Sequence, residues 1–281
     1  MERCRYLLKI YYLCTKKFYG SQRQNDFLTI ENCLLNSLLT KGYFEDVKSA
    51  GLEFASRTDR FVSARASCFS FITEKKPFLM EINSALPKEI GVWAYSDVPM
   101  NFSSRYNAIL RHYKYIVPES ITYLQKQQSL NLEIMEKACK ELEGTHDFIN
   151  FSKRENVKIK SVRELKVVKM TINNNFIIFD FLGKAFLRQQ IRRMVKKILE
   201  LGMSEIDYDD FLLLFDNSRD ISYQGADPRG LILWDIIYDE KIKFLEDKKS
   251  KERMKNYFLN KELKCHFKQQ LFRILQRNNS S

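Results

Sequence analysis

Two apolar runs, residues 165–172 and 176–182, are separated by nothing but Asn173, Asn174 and Asn175. Asn accepts the positive φ of a tight loop, so the runs predict adjacent antiparallel strands; parallel strands need a far longer crossover. Other strand-like runs lie at 3–13, 52–56, 62–72, 91–98, 111–117 and 231–238. Between them, Ile30, Leu34, Leu35, Leu38 and Leu39 share a helical face behind Thr29 as N-cap, and a second helical period over 130–142 stops at Gly144. Residues 186–201 predict a basic helix carrying Arg188, Arg192, Arg193, Lys196 and Lys197 and ending at Gly202, and 209–215 a shorter helix. Hairpins mixed with helices, in place of strict alternation, define an α+β fold with a mostly antiparallel central sheet flanked by helices.

The chain divides by pattern into 1–118, 119–238 and a charged extension, 239–281, that lacks Pro and Gly. The extension holds 12 Lys/Arg against 6 Asp/Glu. Phe267, Leu271, Ile274 and Leu275 keep helical spacing there and predict a docked amphipathic helix; a solvated terminal helix is the competing reading.

The formal net charge of +12 calls for a polyanionic partner, nucleic acid most simply, with an anionic membrane surface as competitor. No run approaches the roughly 18 apolar residues that span a bilayer, and the first residues lack a signal peptide's apolar core, so the expected compartment is the cytoplasm. The six cysteines include no C-x-x-C pair, and His112, His146 and His266 stand far apart. Neither a disulfide scaffold nor a metal is expected, and without a Gly-rich phosphate loop no cofactor is expected.

Against that background the segment FASRTDRFVSARA, residues 54–66, sets one carboxylate, Asp59, between Arg57 and Arg60 at the end of an apolar run. Guanidinium groups on either side would hold it ionised and oriented. Two uses are open: a reactive acid where spare arginines hold nucleic acid, or an ordinary surface ion-pair cluster.

Five further segments bear on that choice: YGSQRQ (19–24), RHYKY (111–115), GTHDF (144–148), the basic run 186–195 and ADPRGL (226–231). With SRTD (56–59) they occur in the order and approximate spacing of the tRNA pseudouridine synthases of the TruA type, and the chain resembles the archaeal branch of that family over residues 3 to about 238. The resemblance implies a pseudouridine synthase fold with two related halves and a cofactor-free RNA isomerase. It implies that Asp59 is the catalytic acid, that Arg57 enters the RNA stack, that Arg192 pairs with Asp59, and that Tyr113 and Leu231 lie on either side of the extruded uracil, Tyr113 also being the candidate for removing the C5 proton. Arg60, Arg188 and Arg193 become candidate RNA contacts. The implied partner is tRNA, met in the anticodon stem-loop by a homodimer. A catalytically silent RNA-binding relative is the alternative, and the same isomerase on another structured RNA a second. His146 and Asp147 read as a structural turn network. The sequence departs from the family at Phe61, where Gly is usual, and at Cys14, where Gly is common; if that Gly supplies positive φ, Phe61 is strained.

Overall fold

The computed structural model describes residues 2–153 and 160–276, so the last five residues of the extension lie outside the described part. In chain order the strands are β1 Cys4–Tyr12, β2 Glu53–Phe54, β3 Ser63–Thr73, β4 Ile90–Val98, β5 Leu110–Ser120, β6 Gly144–Asp147, β7 Val162–Asn173, β8 Phe176–Gly183, β9 Leu231–Ile237 and β10 Leu245–Glu246. The helices are α1 Ile30–Thr40, α2 Leu79–Ser84, α3 Ile121–Gln127, α4 Leu132–Glu141, α5 Gln190–Gly202, α6 Tyr208–Leu212 and α7 Lys248–Leu275. One sheet runs β10-β4-β1-β3-β9-β5-β8-β7-β6, with β2 added on β3. Its pairs are antiparallel except for a short parallel step between β3 and β9, Ser63 against Ile232 and Ala64 against Leu233. That step joins the strands of the first part of the chain to those of the second, and Lys9 reaches across it to Asp235 at 2.7 Å. β5 pairs with β8 and β9.

Local chemistry accounts for most elements. Thr29 accepts a hydrogen bond from the Asn32 amide and caps α1, and Asn131 caps α4 in the same way through Ile134. The β7–β8 loop is Asn174-Asn175, both at positive φ (47° and 67°), the two-residue turn that twists with its strands. The basic helix begins later than its sequence pattern predicts. Residues 186–189 form a loop, because Gln189 takes a left-handed conformation (φ 59°) and the Gln190 side chain accepts from the Leu187 amide. His146 lies against Phe148 and Phe215, while Asp147 accepts from the Ile149 amide, the structural network expected of GTHDF.

The extension corrects its expectation. β10 pairs with β4, and only the first part of α7 docks: Ser250 meets Asn83 at 3.0 Å, Arg253 donates to the Tyr11 hydroxyl at 2.6 Å, and Met254 joins Tyr11, Ala66, Trp93 and Ala94 in a small second core. Phe267, Ile274 and Leu275 are more than 60 % exposed, so the stripe expected to dock faces solvent. Ending the chain after Tyr238 removes β10 and uncovers Trp93 and Tyr11. Urea unfolding should then show a loss of about 2–4 kcal/mol, since burying one large apolar side chain is worth about 1.5–3 kcal/mol. Ending it after Asn260 should change stability by less than about 0.5 kcal/mol.

Candidate active site

Asp59 sits in the loop between β2 and β3, and the YGSQ segment holds that loop from beneath. The Ser21 amide donates to the Thr58 carbonyl at 3.1 Å, the Thr58 amide donates to the Ser21 hydroxyl at 2.7 Å, and Thr58 Oγ1 shares a hydrogen bond with the Tyr12 hydroxyl at 2.8 Å. Gly20 makes this approach possible: at φ 93°, a Cβ there would lie 3.0 Å from the Thr58 carbonyl. The Val62 amide closes the turn by donating to the Asp59 carbonyl. Both sides of the loop are therefore fixed by backbone polar groups, and the carboxylate, 41 % exposed, projects into a cleft of about 1140 Å³.

The arginine that meets Asp59 is not a sequence neighbour. Arg192, from the first turn of α5, places Nη1 3.7 Å from the carboxylate with its own side chain only 13 % exposed. Its Nε donates to the Ala226 carbonyl at 2.7 Å, and the Ala226 amide donates back to the Arg192 carbonyl at 2.9 Å, so the ADPRGL segment orients the guanidinium. Burial lowers the Arg192 pKa and the Asp59 charge raises it in part. Neither flanking arginine pairs with Asp59, which corrects the sequence picture: Arg60 lies over the Tyr19 ring at 3.9 Å, and Arg57 is exposed along the cleft.

Tyr113 enters from β5. Only 6 % exposed, it shares a 2.8 Å hydrogen bond with Ser56 and packs edge-on against Phe186 in the loop before α5. Burial raises its pKa above the ordinary phenol value, the Ser56 hydrogen bond and Arg111 opposing and Asp59 adding to the rise. Leu231, 8 % exposed at the start of β9, lines the same cleft, as does Arg188. Arg193 does not: it is buried, with its guanidinium over the Tyr223 ring, and this corrects its place among the RNA-contact candidates. The positive charge expected of the helix is also reduced, since Lys196 and Lys197 both pair with Glu200.

Sequence reasoning passed over Arg111, read there only as part of RHYKY. Its buried guanidinium donates to the carbonyls of Ala55 and Arg105 and so pins the approach to Ser56; an Arg in step with Tyr113 and Tyr115 along an alternating strand is the signal that could have shown it.

Phe61 has φ 70°, which makes the reason for a Gly at this position explicit. Replacing it gives an order opposite to the usual one. Phe61→Gly should be more stable than Phe61→Ala by about 1 kcal/mol in denaturant unfolding, since both lose the ring but only Ala keeps the strain.

Among the described residues no group of three or more His, Cys, Asp or Glu is placed to hold a metal, and no helix is long and apolar enough to cross a membrane. A fixed carboxylate paired to a largely covered arginine, a buried tyrosine and an apolar wall thus share one cleft edged by Arg57 and Arg188. The family model described as tRNA pseudouridine synthase matches residues 138–239. The chain is 37 % identical over 240 residues to tRNA pseudouridine synthase A of Methanothermobacter thermautotrophicus, spanning 85 % of this chain and 83 % of that one. It is 35 % identical to the protein of that name from Thermococcus sibiricus, over 92 % and 93 % of the two chains, and 34 % identical to that from Methanosarcina mazei, over 89 % and 90 %. The chain belongs to the tRNA pseudouridine synthase family.

Proposed function

We propose that this protein isomerises uridine to pseudouridine in tRNA, in the anticodon stem-loop, with Asp59 as the acting carboxylate. The observation that carries the reading is the convergence of Asp59, Arg192 and Tyr113, from three separate elements, on one cleft. The reaction breaks the bond from N1 to C1′, turns the uracil over and joins C5 to C1′; the C5 proton leaves and N1 gains one. Asp59 serves it in either of two ways. It attacks C1′ to form an ester that C5 then displaces, or it takes the C2′ proton to give a glycal. Arg192 keeps the carboxylate oriented for both.

A uridine inside a stack cannot reach this group, so the nucleotide must leave the stack, and Arg57, exposed at the cleft, fills the space it vacates. Tyr113 and Leu231 wall the extruded base, which prevents the free uracil from diffusing away before it rejoins. Arg60 and Arg188 contact phosphates. We further propose a cytoplasmic homodimer, on the likeness to the family alone.

Transcripts whose anticodon-arm uridines are replaced by cytidine test the choice of target. Pseudouridine should disappear from such a transcript on chemical mapping, whereas modification persisting elsewhere would move the target. Sedimentation of the full chain tests the dimer, and a monomer at micromolar concentration would remove it.

A further inference from the structure

Next to Asp59 stands a column of planar groups of which the reading above uses only Arg60. The Phe27 and Tyr19 rings are stacked, with centroids 4.2 Å apart and planes 20° from parallel. The Arg60 guanidinium lies 3.9 Å from the same Tyr19 centroid and 4.7 Å from that of Phe61. Arg60 meets Tyr19 and Phe61 but not Phe27, so Tyr19 is held between Phe27 on one face and Arg60 on the other.

The column is fixed to the floor of the site. The Tyr19 amide donates to the Leu28 carbonyl at 2.9 Å, Gln24 donates to the Tyr19 carbonyl at 2.8 Å, and the next residue, Gly20, packs on the Asp59 backbone. Tyr19 and Arg60 line the same cleft as Asp59, while Phe27, at the outer end, is 43 % exposed. Arg60 has no ion pair among the described residues.

An exposed aromatic ring on an ordered stack, backed by a cation, is costly as mere surface and well matched to a nucleobase. It offers a flat apolar face whose orientation is already fixed, and every base has a π-face to meet it. We propose that Phe27, supported by Tyr19 and Arg60, is a stacking platform for the unpaired base adjacent in sequence to the isomerised uridine. The assignment rests on the functional reading above and adds a subsite to it. Once the target nucleotide swings out towards Asp59, its neighbour loses a stacking partner, and the outer face of Phe27 replaces that partner at the mouth of the cleft. The ordering of Phe27 by Tyr19 and Arg60 precedes binding, so little conformational freedom remains to be lost when the base arrives.

The test combines protein and RNA changes in one cycle. Full-length protein and its Phe27→Ala variant are titrated with anticodon stem-loop RNA, intact or carrying an abasic residue 5′ or 3′ of the target uridine. With intact RNA, Phe27→Ala should weaken binding about tenfold. With one of the two abasic RNAs the wild type should lose the same factor and the variant should lose no more. Phe27→Trp should keep the affinity, while Phe27→Leu, apolar but without a flat face, should behave as Ala; both report on stacking even if Ala disturbs the loop. Equal losses on intact RNA and on both abasic RNAs, or no loss at all, would overturn the platform. Tritium release from the same RNA, labelled at uridine C5, separates the two claims. Its absence with wild-type protein sinks the isomerase reading, whereas normal release without coupling at Phe27 sinks only the subsite.

Discussion

Asp59→Asn should reduce single-turnover conversion of tRNA uridine by at least about a thousandfold while leaving RNA affinity within about threefold. The amide keeps the shape of the carboxylate but can neither attack C1′ nor accept a C2′ proton, so both routes close together. Affinity should survive because it comes from distributed phosphate contacts, and Arg60 is held in the cleft by Tyr19 and Phe61. The substitution does leave Arg192 without its counter-charge. Ala226 still holds Nε, however, and the pair is open to water on the Asp59 side, so the effect on folding should be small. Rapid-quench conversion and filter binding measure the two quantities separately. Near wild-type turnover by the variant would move the chemistry to another group.

The second large effect is at Tyr113. Tyr113→Phe keeps the ring that packs against Phe186 and removes only the hydroxyl shared with Ser56, so binding should hold while the single-turnover rate falls by about 10²–10⁴. The sign of the pH dependence follows from burial. The phenol pKa is raised, so at neutral pH the hydroxyl carries its proton and the phenolate is scarcer than for a free tyrosine. If deprotonation at C5 limits the rate, conversion should climb about tenfold per pH unit and should not level off at pH 10, where an unperturbed tyrosine would. The Phe variant should lack this slope. Unchanged single-turnover kinetics in Tyr113→Phe would leave the ring as a wall and nothing more.

Much of this arrangement can be read from the chain, and the parts that cannot share a physical cause. The Asn174-Asn175 turn and the Thr29 cap depend on residues within four positions of each other, so sequence pattern reveals them. Asp59 stands out for the same local reason. Its partner Arg192 is named by the family resemblance and found in place, but no local pattern points to it, because it arrives from α5 and is aimed by Ala226. The flanking Arg60 is the instructive error. Proximity in sequence suggested an ion pair, but a residue facing Tyr19 and Phe61 gains a stacked cation–π contact in place of one more screened surface pair. The start of α5 differs from its sequence pattern because apolar spacing continues through Phe186 and Leu187, while the Gln190 side chain accepts from the Leu187 amide and a left-handed Gln189 breaks the helix there. Along α7 the period gave the helix correctly and could not say which part of it has a neighbour.

The central claim, that this cleft moves the bond at C1′ from N1 to C5, is tested most directly by tritium release. Purified protein is incubated with a tRNA transcript labelled at uridine C5, and tritium entering water is compared with pseudouridine found by mapping. The wild type should release one tritium per pseudouridine formed, and Asp59→Asn should release none. Full retention of tritium with the wild type, or equal release by the two proteins, would contradict the account.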